Sequence, residues 1–115
     1  MKKYQRGQIW LVNFDPSIGH EYRKIRPALI IQQDIYISSS GLLTVIPISS
    51  KIEKLTELDL LLEKDESNRL MKNSLLKTKQ ISSFDKKRFI KFIGTVEAKI
   101  MEAVDQNIGI FLLGE

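Results

Sequence analysis

Residues 15–34, DPSIGHEYRKIRPALIIQQD, gather the side chains most able to do chemistry. They hold the chain's single histidine, His20, beside Glu21, Tyr22, Arg23 and Lys24. Arg26 then stands directly before Pro27 and an aliphatic run at 28–31. An arginine at the root of a buried strand has a fixed backbone, and a guanidinium held that way can grip a phosphate through two parallel N–H donors. A second polar group closes a later apolar run, where TVIPISSK ends in Ser49, Ser50 and Lys51. Hydroxyls at a strand end can hydrogen-bond a phosphate oxygen, and they also commonly cap turns. A run of charges is more often a solvated loop than a site, so residue types alone leave both readings open.

Composition narrows the choices. The net charge is +4 and the sequence pI about 9.4. That balance suits a protein that meets polyanions, and equally one that is basic only for solubility. The absence of cysteine excludes a disulfide framework and a thiolate metal site. One histidine cannot make a His-rich metal centre, so neither metal nor cofactor is expected. The N-terminal MKKYQRGQIWLVNF begins basic, but its apolar run is short and interrupted by Asn13. It fits neither a signal peptide nor a membrane span. A cytoplasmic protein with no membrane partner is expected, and 115 residues without a linker suit one domain spanning 1–115.

The elements that must position these groups read as mainly β. Trp10, Val12 and Phe14 alternate with Ile9, Leu11 and Asn13, the pattern of a strand. Trp10 and Phe14 are therefore expected in the core. Asp15 and Pro16 end that strand, and Gly19 permits a turn before the polar cluster. PALIIQQ is too short for a helix and reads as a buried strand, as does LLTVIPIS, in which Pro47 suggests an edge or a bulge. TELDLLL and SLLKTKQIS give a fourth and a weaker fifth strand. FDKKRFIKFI fits either a short helix or a strand. From Val96 the period changes, with Ile100, Val104, Ile108 and then Phe111 or Leu112 near i, i+4 spacing. Thr95 is the expected N-cap, and Gly109 is expected to end or loosen the helix. Strands followed by a terminal helix indicate α+β: a small, strongly bent sheet or barrel with a helix against it. Tyr22 and Tyr36, expected on loops, are the candidate base-stacking rings.

RGQIWLVNFDPSIGHEYRKIRPALII resembles the opening of the MazF/PemK toxin family, the mRNA interferases of type II toxin–antitoxin pairs. The matching features are Arg6 and Gly7, Asp15 and Pro16, Gly19 followed by His20 and Glu21, and Arg26 and Pro27. TVIPISSK resembles the family's second block, with Ser49 in the catalytic Thr/Ser place. LLKTKQISSFDKKRF resembles the third, so the likeness covers nearly the whole chain. It implies a small SH3-like β-barrel with a C-terminal helix and one or two short helices, working as a homodimer. It also implies metal-independent, sequence-specific cutting of single-stranded RNA by attack of the ribose 2′-hydroxyl, leaving 2′,3′-cyclic phosphate and 5′-hydroxyl ends. A cognate antitoxin protein is the implied partner. Carried over, the catalytic arginine is Arg26, the catalytic hydroxyl Ser49 and the loop acid Glu21. His20, Tyr22, Arg23, Lys24, Ser50, Lys51, Lys79 and Gln80 are the expected RNA-binding residues.

The reaction needs a base at the 2′-hydroxyl, a proton for the leaving oxygen and positive charge at the phosphorane. Arginine stays protonated, which makes Arg26 the electrostatic clamp and leaves Glu21 or His20 as base. The chain departs from the family pattern at Lys79, where an acid is common, and at Ser50, where glycine is. A gyrase-poisoning toxin of the same fold and an inactive nucleic-acid-binding barrel are the alternatives; retention of both Arg26 and Ser49 weighs against them.

Overall fold

The structure, a computed structural model, describes residues 3–15 and 24–115. Gly19, His20, Glu21, Tyr22 and Arg23 lie outside the described residues. Strand β1 (Gln8–Asn13) is followed by β2 (Ile25–Ile30), β3 (Leu42–Ser49), β4 (Leu60–Leu62) and β5 (Ser74–Leu76). Strands β6 (Ser82–Asp85) and β7 (Phe89–Thr95) and helix α1 (Ala98–Leu113) come next. Among the described residues these seven strands form one sheet in the order β4-β5-β3-β2-β1-β7, with β6 beside β3. Every pairing is antiparallel. The chain is thus α+β and mainly β, as its alternating and short apolar runs imply.

Both faces of the central strands are covered. Ile9, Leu29, Ile46, Ile48 and Leu76 pack with Met101 and Val104 of α1. Trp10, Val12, Ala28, Val45 and Phe89 form a second cluster on the opposite face. Successive side chains of a strand point to opposite faces, so β1 sends Ile9 to one cluster and Trp10 to the other. This explains why β2 and β3 read as nearly continuous apolar runs rather than as alternation. Each fully buried aliphatic contributes about 1.5–3 kcal/mol. Trp10 and Phe14 are buried, as expected. Tyr4 lies against Trp10 and Phe89, with ring centroids 4.7 and 5.7 Å away, and burial pushes its phenol above the ordinary pKa.

The sheet curls until its two ends meet. The Thr95 amide, at the end of β7, donates to the Ser67 carbonyl at 2.9 Å, in the connection between β4 and β5. One hydrogen bond therefore joins the β7 edge to the β4 end of the strand order. Gly94 makes this approach possible: a Cβ there would lie 2.5 Å from the carbonyl oxygens of both Ser67 and Asn68.

Three local expectations are corrected. Pro47 lies on neither an edge nor a bulge; it pairs with Ala28 in the middle of the sheet. The N and C=O of a strand residue point to the same side, and Pro47 O accepts from Lys77 N at 3.0 Å. Its missing N–H therefore faces the gap between β6, which pairs β3 up to Val45, and β5, which pairs it from Ile48. The carbonyl of Lys77 takes the Gln80 amide instead, at 2.9 Å. The N-cap of α1 is Glu97 rather than Thr95. Thr95 is still a strand residue paired with Gln8, and Val96 N donates to Gly7 O at 2.8 Å, which keeps the chain extended through both. The helix also runs through Gly109 and stops at Gly114, whose φ of 74° is the left-handed C-terminal cap. Packing of Met101 and Val104 outweighs the cost of one helical glycine.

Arg6 and Gly7, the first feature of the family likeness, hold the frame. The Arg6 guanidinium donates to the Ile31 carbonyl and to Asp105 on α1. Gly7, at φ 89°, takes a backbone shape that L side chains rarely adopt and bonds Ile30 O at 2.9 Å.

Candidate active site

Arg26 is the second residue of β2 and half-buried, paired with Val12 of β1. The β2–β3 ladder matches Ala28 with Pro47. The same antiparallel count carried two residues on sets Arg26 opposite Ser49, which is itself paired with Leu75 of β5. Residues opposite each other share a face, so Val12, Arg26, Ser49 and Leu75 form one row across four strands. Val12 and Leu75 are fully buried, and Ser49 is only 7% exposed. The sequence places arginine and hydroxyl 23 residues apart; the β2–β3 register, continued past its last pair at Ala28–Pro47, sets them level.

The Ser49 hydroxyl oxygen accepts the Lys51 amide at 3.2 Å. That bond occupies a lone pair and leaves the hydroxyl proton to be donated elsewhere. Ser50 and Lys51 follow it on the surface.

Arg26 and Ser50 line a groove of about 630 Å³ together with Arg69, Lys72, Lys91 and Phe92. Its apolar wall includes Leu11, Pro27, Ile48 and Met71. Four cations and no carboxylate among the lining residues make this a surface for an anion. Phe92 is 42% exposed there, its back held edge-on by Trp10 at 6.1 Å, an arrangement that suits stacking against a base.

The described residues Phe14, Asp15 and Lys24 are tied to one another. Lys24 N donates to Asp15 Oδ1 at 2.8 Å, and Phe14 N to Lys24 O at 2.9 Å. Arg88 reaches across from the turn before β7 to bond the carbonyls of Asn13 and Asp15. Lys24 holds φ 66°, a strained shape for a non-glycine residue. This sets Lys24 beside the start of β2, two residues before Arg26.

The other expected residues are placed as follows. Lys79 is exposed and Gln80 half-buried, in a 3₁₀ turn at Thr78–Gln80 after β5. Neither lines the groove. Tyr36 is exposed, but it sits beyond the far end of β2 from Arg26. Glu21, His20, Tyr22 and Arg23 lie outside the described residues. Sequence reasoning missed Arg69, Lys72, Lys91 and Phe92. The first two belong to the β4–β5 connection and the last two to β7, so only the curl of the sheet makes them neighbours. The basic residues interleaved with aromatics in KKRFIKFI were the one available signal.

The profile described as PemK-like, MazF-like toxin of type II toxin-antitoxin system matches residues 5–112. The chain is similar to endoribonuclease MazF of Staphylococcus saprophyticus, 31% identical over 109 residues that cover 94% of this chain and 90% of that one. It is 29% identical over 113 residues to endoribonuclease MazF9 of Mycobacterium tuberculosis, covering 94% and 95% of the two chains. The crystal structure of MazF from Deinococcus radiodurans matches with a TM-score of 0.80 at 25% identity, over 97% of each chain. The protein belongs to the PemK-like, MazF-like toxins of type II toxin–antitoxin systems.

Proposed function

We propose that this toxin is an endoribonuclease cutting single-stranded RNA at a short sequence, without metal, with Arg26 and Ser49 as its catalytic pair. What supports the reading is the β2–β3 register, which continued from Ala28–Pro47 sets Arg26 level with Ser49, together with a groove that Arg26 lines with Arg69, Lys72 and Lys91; Ser49 itself is not among the lining residues. The ribose 2′-oxygen attacks the adjacent phosphorus while the bond to the 5′-oxygen breaks. The 2′-proton passes to Glu21 or His20, and the departing 5′-oxygen takes up a proton. The products are a 2′,3′-cyclic phosphate and a 5′-hydroxyl. Arg26 stabilises the charge that builds on the phosphorane, and Ser49 donates to a non-bridging oxygen. Arg69, Lys72 and Lys91 hold the flanking phosphates, with Phe92 under a base. The reaction uses the 2′-hydroxyl, so DNA is left intact. The toxin acts in the cytoplasm as a homodimer, one domain spanning 1–115, and is held inactive by a cognate antitoxin whose acidic segment suits the basic groove.

Mapping the ends made on a long RNA in EDTA tests this. Cyclic phosphate and 5′-hydroxyl ends at a recurring short sequence are expected; intact RNA, or 5′-phosphate ends, would overturn it. The groove assignment makes its own prediction. The log of RNA affinity should fall with log salt at a slope near −0.7 per phosphate contact. The triple variant Arg69→Ser, Lys72→Ser, Lys91→Ser should therefore flatten that slope by about 2. An unchanged slope would remove these residues from the interface.

A further inference from the structure

Asp59 and Lys77 make an ion pair at 2.5 Å with side chains only 1% and 11% exposed. Burying two charges costs several kcal/mol per ion before their attraction returns it, and apolar replacements are often as stable. Stability alone is therefore a poor reason for the pair. Its neighbours supply a better one. The β4–β5 ladder matches Leu60 with Leu76, and one step further sets Asp59 across from Lys77. Lys77 N bonds Pro47 O, so the pair continues the strands that carry Ser49, on the face that Ser49 shares with Leu75.

Asp59 Oδ2 also accepts the Thr56 amide at 2.8 Å and the Thr56 hydroxyl at 3.0 Å. The Lys77 ammonium reaches the Lys54 carbonyl at 3.5 Å. Lys54 N donates to Lys51 O at 3.0 Å, and Lys51 N donates to Ser49 Oγ. The segment from Ser49 to Asp59 is thus tied, link by link, to one buried ammonium.

We infer that Asp59 and Lys77 are positioning residues: the pair fixes the turn after β3 so that the Lys51 amide holds the Ser49 hydroxyl in its donating orientation. The inference rests on the RNA-cleavage reading for its effect on rate, but its structural part is measurable without RNA. The double variant Asp59→Leu, Lys77→Met removes both charges and keeps the site apolar, so it should fold. Amide hydrogen exchange at Lys51 and Lys54 should speed up about 10-fold or more while Leu29 in the core stays protected. In steady-state cleavage, kcat should drop about 10-fold and KM stay within about two-fold, the signature of a misplaced catalytic group. Wild-type exchange at Lys51 and Lys54 in the folded double variant would overturn the inference whether or not the protein cuts RNA, and so would a wild-type kcat. A wild-type protein that cuts no RNA overturns the functional reading instead, and the exchange result alone then decides the positioning. If the double variant does not fold, Asp59→Asn with Lys77→Met, which keeps the acceptor shape and leaves no unpaired charge, gives the same readouts.

Discussion

Arg26→Ala should slow RNA cleavage by about 10²–10³-fold, the usual effect of removing one donor aimed at developing negative charge. The side chain is half-buried on β2, between Val12 and the register position of Ser49. Phosphoryl chemistry at a ribose gives the protein little covalent work, so most of the acceleration comes from positioning and electrostatic stabilisation. The pairs that lock β2 in place, Ala28, Leu29 and Ile30 with β3 and Ile9 to Asn13 with β1, do not involve the guanidinium. The fold should therefore survive, with Tm lowered by no more than a few degrees. Arg26→Lys sharpens the test, because an ammonium keeps the charge and loses the planar fork. It should recover part of the rate and leave a deficit of about 10-fold. The measurements are single-turnover cleavage and near-ultraviolet circular dichroism on the same preparations. A folded Arg26→Ala protein that cuts at the wild-type rate would remove Arg26 from the mechanism.

Arg26 and Ser49 stand out in the sequence as candidates because each begins or ends an apolar run, where the backbone is fixed by the strand next to it. The strands themselves were legible for the same reason: buried runs such as ALII and LLTVIPIS have few other uses at that length. Phe89–Thr95 was ambiguous because Phe89, Phe92 and Ile93 repeat at a helical interval while its phenylalanines, isoleucines and threonine are also good strand formers. Pairing with β1 settled it, and no local signal records that pairing. The groove failed to show for a related reason. Arg69 and Lys91 are 22 residues apart, and nothing in either segment encodes the seam that brings them together. Asp59 and Lys77 meet by register between two three-residue strands, a contact too short-ranged in pattern to leave a periodicity.

That seam is where the largest stability effect is expected. Gly94→Ala adds a Cβ that would stand 2.5 Å from Ser67 O, 2.5 Å from Asn68 O and 2.6 Å from Asn68 C. All three are backbone atoms, so no side chain can swing aside. The opposing turn is also unable to retreat cheaply. The Asn68 side chain, 1% exposed, donates to Glu63 O at 2.8 Å and accepts the amides of Asp65 and Leu70, each at 3.0 Å. Ser67 O is held by Thr95 N. One methyl must therefore either break those bonds or part β7 from the turn, at a cost of about 3 kcal/mol. For a chain of this size that lowers Tm by about 12 °C. Gly109→Ala is the matched control: a Cβ there meets nothing within 4 Å in the middle of α1, and the change should stabilise by about 1 kcal/mol. Opposite signs from the same substitution, read by thermal unfolding, would show that closure of the sheet, rather than glycine flexibility, is what Gly94 provides. Arg69 and Lys72 stand on one side of the seam and Lys91 and Phe92 on the other. RNA affinity at a temperature where Gly94→Ala is still folded should thus weaken in step with the seam. A Tm within about 2 °C of wild type would mean that the two backbones can part without cost.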